Sequence, residues 1–388
     1  ERHHPGRVGL DRGDDPESHR LLAEWEQQPG EDLRGWEWYY LSRRRGRGEL
    51  ACWKAGVAYT LAFRRDGGAL AAAGADGMLR VWNPDTGEEL SPPRPHPADI
   101  GPVIWSPDGK WLASACDDGV VRIWPVADES AIELTGHTDK VKDIALSTDG
   151  RALASVSKDG TVCLRDTADW SRPGRVLVRE EANLRSVAFG PSETILVSGT
   201  YDNQLKVWDA ATGRLLRSLQ AHTHPVTFVR AAPETSRFVT AARDVFLWEP
   251  SATEPGGWRY LALPGLTDRV RDVALSSDGR TLAIAGDSGA TVWSWEGPRF
   301  QCRVYGHQGL VHAVALHPDC RHLATAGGDG TVRLWDLRAA PVSDRYPLVG
   351  DPMLLAILPD RRVCVTANPP GWRAETWENE GGLEAAER

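Results

Sequence analysis

The sequence predicts an all-β protein assembled from many copies of one unit, and the clearest copy shows why. This copy, Gly306 to Leu337, opens with Gly-His and closes with Trp-Asp. Three runs inside it, Val311–Leu316, His322–Ala326 and Thr331–Trp335, have an apolar residue at every second position, which is typical of half-buried strands. Pro-Asp and Gly-Asp-Gly separate the runs and predict tight antiparallel turns. One such unit leaves both sheet faces exposed, so copies must stack on one another.

The unit recurs along most of the chain. Aligned on the residue that closes the third run, the copies end at Trp82, Trp124, Arg165, Trp208, Trp248, Trp293, Trp335 and Trp377. Successive ends are 40 to 45 residues apart. These residues resemble the WD-repeat β-propeller family, whose four-stranded blades start with Gly-His and end with Trp-Asp.

The resemblance implies an all-β WD-repeat propeller of eight blades, with seven as the alternative because the last copy is the most degenerate. Residues 48–54 form a lone strand without a preceding blade. The last copy supplies only three strands, at 353–358, 362–366 and 373–378. Because open sheet edges invite aggregation, we expect the N-terminal strand to complete that last blade and close the ring.

The predicted domains are a disordered tail at 1–15, a short helical extension or linker at 16–47, the propeller at 48–378 and a C-terminal tail at 379–388. Asp15-Pro16 is a typical helix start. The stretch EDLRGWEWYYL, followed by a GEL strand, resembles the segment before the propeller in planctomycete-type bacterial serine/threonine kinases with WD repeats. The chain begins at Glu1 rather than Met, which favours a processed product or a piece of a longer protein.

Composition and motifs exclude several classes of function. The net charge of −9 disfavours general attraction to nucleic acid or membranes, and no apolar run reaches the roughly 18 residues of a membrane helix. Six scattered cysteines lack any Cys-x-x-Cys pair and are interpreted as reduced packing residues, with a disulfide left open. We find no zinc-type spacing, calcium loop, phosphate loop or kinase motif. The sequence therefore predicts no metal site, no cofactor and no catalytic residue, and it leaves the compartment undetermined, with the cytoplasm slightly favoured.

The resemblance further implies a buried polar network in each blade, made by the His after Gly, a Ser or Thr in the second strand, the Asp of the next turn and the Trp. The buried imidazole and indole N–H groups need acceptors. The matching residues are His96, Ser114, Asp118 and Trp124; His137, Ser155 and Asp159; and His307, Thr325, Asp329 and Trp335. A Ser-His-Asp set could suggest a hydrolase, but a nucleophile is not built several times over, so we interpret these sets as packing elements.

Partner contacts in this family often use residues three and five places after the His and the residue before the Asp. Carried onto this sequence, these positions gather seven cations on one side of one narrow face. The predicted partner-binding residues are Lys140, Lys142, Lys158, Arg185, Tyr201, Arg243, Arg269, Arg271 and His312. Arg pairs with carboxylates and phosphates through two hydrogen bonds, so the surface predicts an acidic or phosphorylated protein or peptide partner.

The function predicted from sequence is a non-catalytic, monomeric protein-interaction scaffold that belongs to a larger bacterial signalling protein. The alternative is a propeller enzyme of hydrolase or lyase type with a site at the central channel. That reading requires convergent carboxylates, histidines or a metal at several strand starts. Recognition of nucleic acid by the basic arc is the weakest reading, since the net charge is negative and aromatic residues are not interleaved with the cations.

Overall fold

The computed structural model describes residues 48–338 apart from short gaps at 129, 182, 191–193, 200–202, 221, 233–234, 253–256, 264–265, 267 and 297–298, and then four strands between 352 and 386. The chain divides into two units, Glu1–Val342 and Ser343–Arg388. The predicted tail at 1–15 and helical extension at 16–47 lie outside the described residues. The described residues form strands and turns without a helix, and in them no helix has the length and apolarity that a membrane crossing requires.

Six blades of the first unit are each built from four consecutive antiparallel strands. The chain enters with β1 (Glu49–Lys54), which lies outside these six. Blade one contains β2 (Ala58–Phe63), β3 (Leu70–Gly74), β4 (Met78–Trp82) and β5 (Arg94–Pro95). Blade two contains β6 (Ile100–Trp105), β7 (Trp111–Cys116), β8 (Val121–Pro125) and β9 (Ile132–Leu134). Blade three contains β10 (Val141–Leu146), β11 (Ala152–Ser157), β12 (Thr161–Asp166) and β13 (Arg175–Arg179).

The next three blades follow the same order. Blade four contains β14 (Leu184–Phe189), β15 (Thr194–Gly199), β16 (Leu205–Asp209) and β17 (Leu215–Leu219). Blade five contains β18 (Phe228–Ala231), β19 (Phe238–Ala241), β20 (Val245–Pro250) and β21 (Trp258–Ala262). Blade six contains β22 (Asp272–Leu275), β23 (Thr281–Gly286), β24 (Gly289–Ser294) and β25 (Arg299–Val304).

A composite sheet closes the ring. It combines β26 (Val311–Leu316), β27 (His322–Gly327) and β28 (Thr331–Asp336) with the N-terminal β1. Strand β1 runs antiparallel to β28, with Lys54 opposite Thr331 and Glu49 opposite Trp335. The first strand of each sheet packs against that of the next sheet, and β26 packs against β2, so the strands nearest the axis form a closed circle.

This closure corrects the predicted eight-bladed ring and its seven-bladed alternative. The N-terminal strand was expected to complete the repeat that ends at Trp377, but it pairs with the repeat that ends at Trp335. The first unit thus holds six blades of consecutive strands and the composite sheet. The physical reason is that β1 directly precedes β2, so it lies beside the sheet that borders blade one.

The repeat that ends at Trp377 forms a four-stranded sheet of its own in the second unit. Its strands are β29 (Pro352–Ile357), β30 (Val363–Ala367), β31 (Ala374–Trp377) and β32 (Leu383–Ala386). The sequence predicted three strands here. The fourth, β32, falls in the stretch expected to be a C-terminal tail.

The core is distributed between neighbouring sheets. Each hydrophobic cluster of the first unit joins two consecutive sheets; one, for example, joins Leu70 and Trp82 of blade one to Leu334 of the composite sheet. Alternation along the strands explains this arrangement, because both faces of every sheet are covered by a neighbour. Stability therefore depends on contacts between sheets and on ring closure.

Candidate functional site

The composite sheet contains the most complete of the predicted polar networks. The His307 Nε2 lies 2.7 Å from the Thr325 hydroxyl, which also accepts the Trp335 indole N–H at 2.8 Å. Asp329 Oδ1 lies 3.0 Å from His307 Nδ1, and its Oδ2 accepts the Gln308 N–H. Burial alone would raise the pKa of Asp329, but the hydrogen bonds from His307 and Gln308 hold it well below its usual range. Every polar atom of this buried set has a partner, as a packing element requires.

Blade three has a similar network in which an arginine replaces the indole. His137 Nε2 lies 2.8 Å from Ser155 Oγ, and its Nδ1 lies 3.1 Å from Asp159 Oδ2. Arg165, at the position of the Trp, donates instead to the Thr135 carbonyl. Burial lowers the pKa of Arg165.

Blade five completes its network with a residue that the sequence analysis did not assign. His222 Nε2 lies 2.6 Å from Thr240 Oγ1, which also accepts the Trp248 N–H at 2.8 Å. Asp244 Oδ1 lies 2.6 Å from His222 Nδ1 and so takes the role of Asp329. Asp244 lies 22 residues after His222, the same interval that separates Asp329 from His307, and the shortening of this blade falls between the Asp and the Trp. That constant interval is the sequence signal from which Asp244 could have been assigned.

Blade two departs from the predicted network at its carboxylate. His96 Nε2 and the Trp124 N–H both reach Ser114 Oγ, at 2.7 and 2.9 Å. Asp118 instead pairs with Arg122 at 2.8 Å, and His96 Nδ1 faces the Arg94 carbonyl at 3.2 Å. Burial lowers the pKa of His96 to about 4. The imidazole of blade two is therefore held neutral without a carboxylate contact.

Blades one and six use the turn carboxylate for an ion pair. Asp76 accepts from Arg80 at 2.6 Å in blade one, and Asp287 accepts from Arg271 at 2.6 Å in blade six. The Ser, His and Asp side chains thus recur around the ring in changing combinations. We interpret these side chains as packing elements. In blades two and five and in the composite sheet, the Ser or Thr hydroxyl is already occupied as the acceptor of the Trp N–H.

The predicted docking residues lie on the face where the first strand of each blade begins and where the turn between its second and third strands lies. We call it the narrow face. Backbone hydrogen bonds hold these two segments together, for example from Lys158 N to Lys140 O at 3.0 Å. The positions chosen from the sequence therefore share one surface.

Two predicted docking lysines of blade three are already paired. Lys140 and Lys142 both donate to the Asp117 carboxylate of blade two, Lys142 at 3.0 Å. Burial would raise the pKa of Asp117, but the hydrogen bonds from the two lysines lower it. Arg271 is likewise paired with Asp287. These three cations stabilise the rim and carry less free charge than the sequence suggested.

Four further cations occupy successive blades of the narrow face. Arg185 of blade four, Arg243 of blade five and Arg269 of blade six are exposed, and Lys158 of blade three is half-buried. Among the residues described by the structure, none of the four has a carboxylate within ion-pair distance. The remaining predicted residues divide: His312 packs edge-on against Tyr59 with ring centroids 5.6 Å apart, and Tyr201 lies outside the described residues.

A second polar cluster, missed by the sequence analysis, lines the central channel. The channel has a volume of about 590 Å³ and is walled by the strands nearest the axis. Arg230 of blade five donates to Asp143 of blade three at 2.8 Å and to Ser186 of blade four at 3.1 Å, and it lies 3.9 Å from Asp272 of blade six. Burial raises the pKa of Asp272 to about 6, against the lowering effect of Arg230.

These channel residues connect neighbouring blades. Asp143 accepts the Val187 N–H, Ser186 accepts the Val229 N–H, and Asp272 accepts the Val314 N–H, each one blade further along. Asp143 and Ser186 stand 43 residues apart in the sequence, and Asp272 follows Ser186 after two further intervals of about that length. We call Asp143, Ser186, Arg230 and Asp272 the channel belt. The sequence signal for it was a polar residue that recurs at one register of the inner strands. Since Asp143 already accepts three hydrogen bonds through one oxygen, the belt is suited to joining blades.

Comparison with known families agrees with this architecture. Five segments match the family model of the WD40 repeat, described as the WD domain, G-beta repeat: residues 48–83, 98–125, 129–166, 172–209 and 299–336. These segments are therefore similar to WD40 repeats, and together with the observed sheets they support the predicted WD-repeat propeller. Residues 210–298 lie outside the matched segments, although they form blades of the same four-stranded kind.

The chain is also similar to several curated proteins. The chain is 29% identical over 279 residues to the nuclear distribution protein PAC1 of Arthroderma otae, covering 62% of this chain and 59% of that protein. It is 24% identical over 297 residues to eukaryotic translation initiation factor 3 subunit I of Nematostella vectensis, covering 70% and 90%. It is 29% identical over 154 residues to the target of rapamycin complex subunit wat1 of Schizosaccharomyces pombe, covering 39% and 48%. The chain thus spans about three fifths of the PAC1 relative.

Proposed function

We propose that this WD-repeat propeller is a non-catalytic scaffold that docks an acidic protein or peptide on its narrow face. WD40 propellers of this kind typically act in protein interactions, and two of the relatives above are named as subunits of larger assemblies. The proposal depends on one observation above all. Lys158, Arg185, Arg243 and Arg269 stand on four successive blades of one face, without a carboxylate partner among the described residues.

The narrow face concentrates positive charge on a protein whose net charge is negative. The chain carries −9 overall, so cations that lack a carboxylate partner among the described residues create a local field of the opposite sign on this rim. Such a field steers an anionic partner and favours its correct orientation. Guanidinium groups add bidentate hydrogen bonds to carboxylate or phosphate, which are about twice as strong as neutral hydrogen bonds. Lys140, Lys142 and Arg271 contribute less, because each already pairs with an aspartate.

The enzyme alternative gains no support from the central channel. General acid–base chemistry needs a carboxylate that can reach a substrate proton. Asp143 is 5% exposed as a side chain and is engaged by Arg230 and Ser186. Arg230 lies 2.8 Å from Asp143 and 3.9 Å from Asp272, so its guanidinium charge compensates both carboxylates.

The larger setting remains a prediction. The relatives described above are eukaryotic, so a place in a bacterial signalling protein is supported only by the segment EDLRGWEWYYL and the GEL strand that follows it. Sequencing the gene upstream of the codon for Glu1 tests this point. A kinase domain there supports the proposal, and a different domain or a start codon contradicts it.

Charge reversal tests the docking face directly. The variant Arg243→Glu/Arg269→Glu should bind a fluorescein-labelled decaglutamate peptide, and a phosphoserine-containing peptide of equal charge, at least about tenfold more weakly in an anisotropy titration. The matched control is Lys110→Glu/Arg151→Glu, which makes the same change of charge in exposed turns at the opposite ends of the strands. Equal weakening by both variants, or no weakening by the first, contradicts the proposal.

A further inference from the structure

The turn between the first and second strands occurs in closely similar form in several blades. Residues 106–111, 147–152 and 276–281 all begin with Ser, have Asp at the third position and Gly at the fourth. The Ser hydroxyl donates to the Asp carboxylate at 2.8, 2.6 and 2.6 Å. The Gly has a positive φ of 67°, 71° and 64°, a conformation that glycine adopts without strain.

The composite sheet carries a fourth copy of this turn, residues 317–322, with three changes. His317 replaces the Ser, Cys320 replaces the Gly, and His322 occupies the sixth position, where the other copies have Trp, Ala and Thr. Cys320 keeps the left-handed backbone with φ of 56° although it has a side chain. All three changes introduce nitrogen or sulfur donors beside the retained Asp319.

The side chains of this turn converge. Asp319 Oδ1 lies 2.9 Å from His317 Nδ1, and Asp319 Oδ2 lies 2.7 Å from His322 Nδ1. One ligand atom from each residue falls within 4.8 Å of the other two. The side chains are 19% exposed at His317, 33% at Asp319 and 32% at His322. An ion from solvent can therefore reach the donors.

The neighbouring blade fixes which nitrogen of His317 faces the carboxylate. The imidazole packs edge-on against Phe63 with ring centroids 5.0 Å apart. Its Nε2 edge lies against Gly67, where a Cβ would come within 2.2 Å of Nε2. The glycine thus makes room for the ring and leaves Nδ1 directed to Asp319. This is a preorganised donor, which lowers the entropy lost on binding.

We propose that His317 Nδ1, an Asp319 carboxylate oxygen and His322 Nδ1 bind a divalent transition-metal ion of the Zn²⁺ class. Imidazole nitrogens with one carboxylate are a typical zinc donor set, and three protein ligands leave a coordination position for water. Binding requires each imidazole to place its proton on Nε2, so that the Nδ1 lone pair replaces the present contact with Asp319. Tetrahedral zinc needs donors roughly 3.3 Å apart. The distances from Asp319 to His317 Nδ1 and to His322 Nδ1 must therefore each increase by about half an ångström. The inference goes beyond the docking function and does not depend on it.

The spacing explains why the sequence predicted no metal site. His-x-Asp-x-x-His differs from the paired Cys or His spacing of zinc domains, and the Asp serves an ordinary turn in the other blades. Only the hairpin brings the sixth residue back beside the first. The three copies of the turn that lack both histidines show which residues the matched variant should carry.

Zinc titration of the full chain in competition with a chromophoric chelator tests the proposal. The wild-type chain should bind one Zn²⁺ tightly, and His317→Ser/His322→Thr, which copies the turn of blade six, should bind it at least about tenfold more weakly. His3→Ala/His4→Ala serves as the control for adventitious binding and should retain the site. Binding that survives His317→Ser/His322→Thr, or absence of binding by the wild-type chain, overturns the proposal.

Cobalt substitution provides a second readout. Co²⁺ bound in this turn should give visible absorption bands of a tetrahedral or five-coordinate ion, and His322→Thr alone should reduce them. Circular dichroism and metal-free melting confirm that each variant is folded. Loss of a near-ultraviolet charge-transfer band in Cys320→Ser would add the thiolate as the fourth ligand, and an unchanged spectrum would assign that position to water. Visible bands that His322→Thr leaves unchanged contradict the site.

Discussion

The composite sheet contains two histidine–aspartate clusters of nearly the same chemistry at opposite ends of β26. His307 and Asp329 are buried, with side chains 3% and 10% exposed. His317, Asp319 and His322 form the other cluster, in a partly exposed turn. The first cluster recurs in blades three and five with His137 and His222, whereas the second departs from the other copies of its turn. A cluster that is buried and repeated in other blades indicates a packing element. A cluster that is partly exposed and differs from the other copies of its turn indicates a ligand site.

Removal of the carboxylate from each cluster, Asp329 or Asp319, should distinguish the two clusters most strongly. Asp329→Ala should lower the free energy of unfolding by about 2–4 kcal/mol, because it leaves the buried His307 imidazole and the Gln308 N–H without an acceptor. Asp319→Ala should lower it by less than about 1 kcal/mol, since water can replace the carboxylate in a partly exposed turn. Urea denaturation of both variants in the presence of a chelator measures the difference. Equal losses would show that the two clusters play the same structural role.

A pH titration of stability tests whether the His96 imidazole is neutral in the folded protein. Burial lowers the pKa of His96 in the folded protein to about 4 from 6.5, so the unfolded chain binds this proton more readily. The stability that His96 contributes is therefore complete above pH 6.5 and is lost as the pH falls toward 4. Relative to His96→Gln, the wild-type protein should lose about 1–3 kcal/mol of unfolding free energy between pH 7.5 and 4. Parallel stability curves for the two proteins would contradict a buried neutral imidazole.

The smallest effect concerns the backbone of the exposed cluster. Cys320 has a φ of 56° where three other copies of the turn have glycine. Cys320→Gly should therefore raise the free energy of unfolding by about 0.5–1 kcal/mol in metal-free buffer, through relief of the left-handed strain. Thermal melting with a chelator measures the gain. Destabilisation by this variant would show that the cysteine side chain contributes packing that outweighs the strain.

The sequence pattern was sufficient to predict individual strands. It was not sufficient to predict which strands pair to close the ring. The alternation in the seventh repeat predicted Val311–Leu316 as a strand, as the structure has it. The N-terminal strand was also predicted, yet its partner was assigned to the wrong repeat. A lone strand has no sequence feature that names its neighbour, because antiparallel pairing uses backbone groups that every residue carries. Its position beside blade one decides the pairing.

The functional residues divide in the same way. Lys142 and Arg271 could be placed on the narrow face from their offset to the network positions, but their ion pairs with Asp117 and Asp287 could not be foreseen. Asp117 belongs to another blade than Lys142, so no spacing within one repeat relates them. Arg243 and Arg269, which have no carboxylate partner among the residues that the structure describes, are recognised only once these ion pairs are known.

The sequence by itself determined that this protein is a stack of similar β units, because period-two alternation and a period of 40 to 45 residues are properties of the chain alone. The tertiary structure alone decided which strand closes the ring, which cations of the narrow face pair with aspartates, and that three donors of one turn meet in space. Those outcomes depend on contacts between residues distant in the chain or folded back by a hairpin, and a linear pattern does not contain such distances.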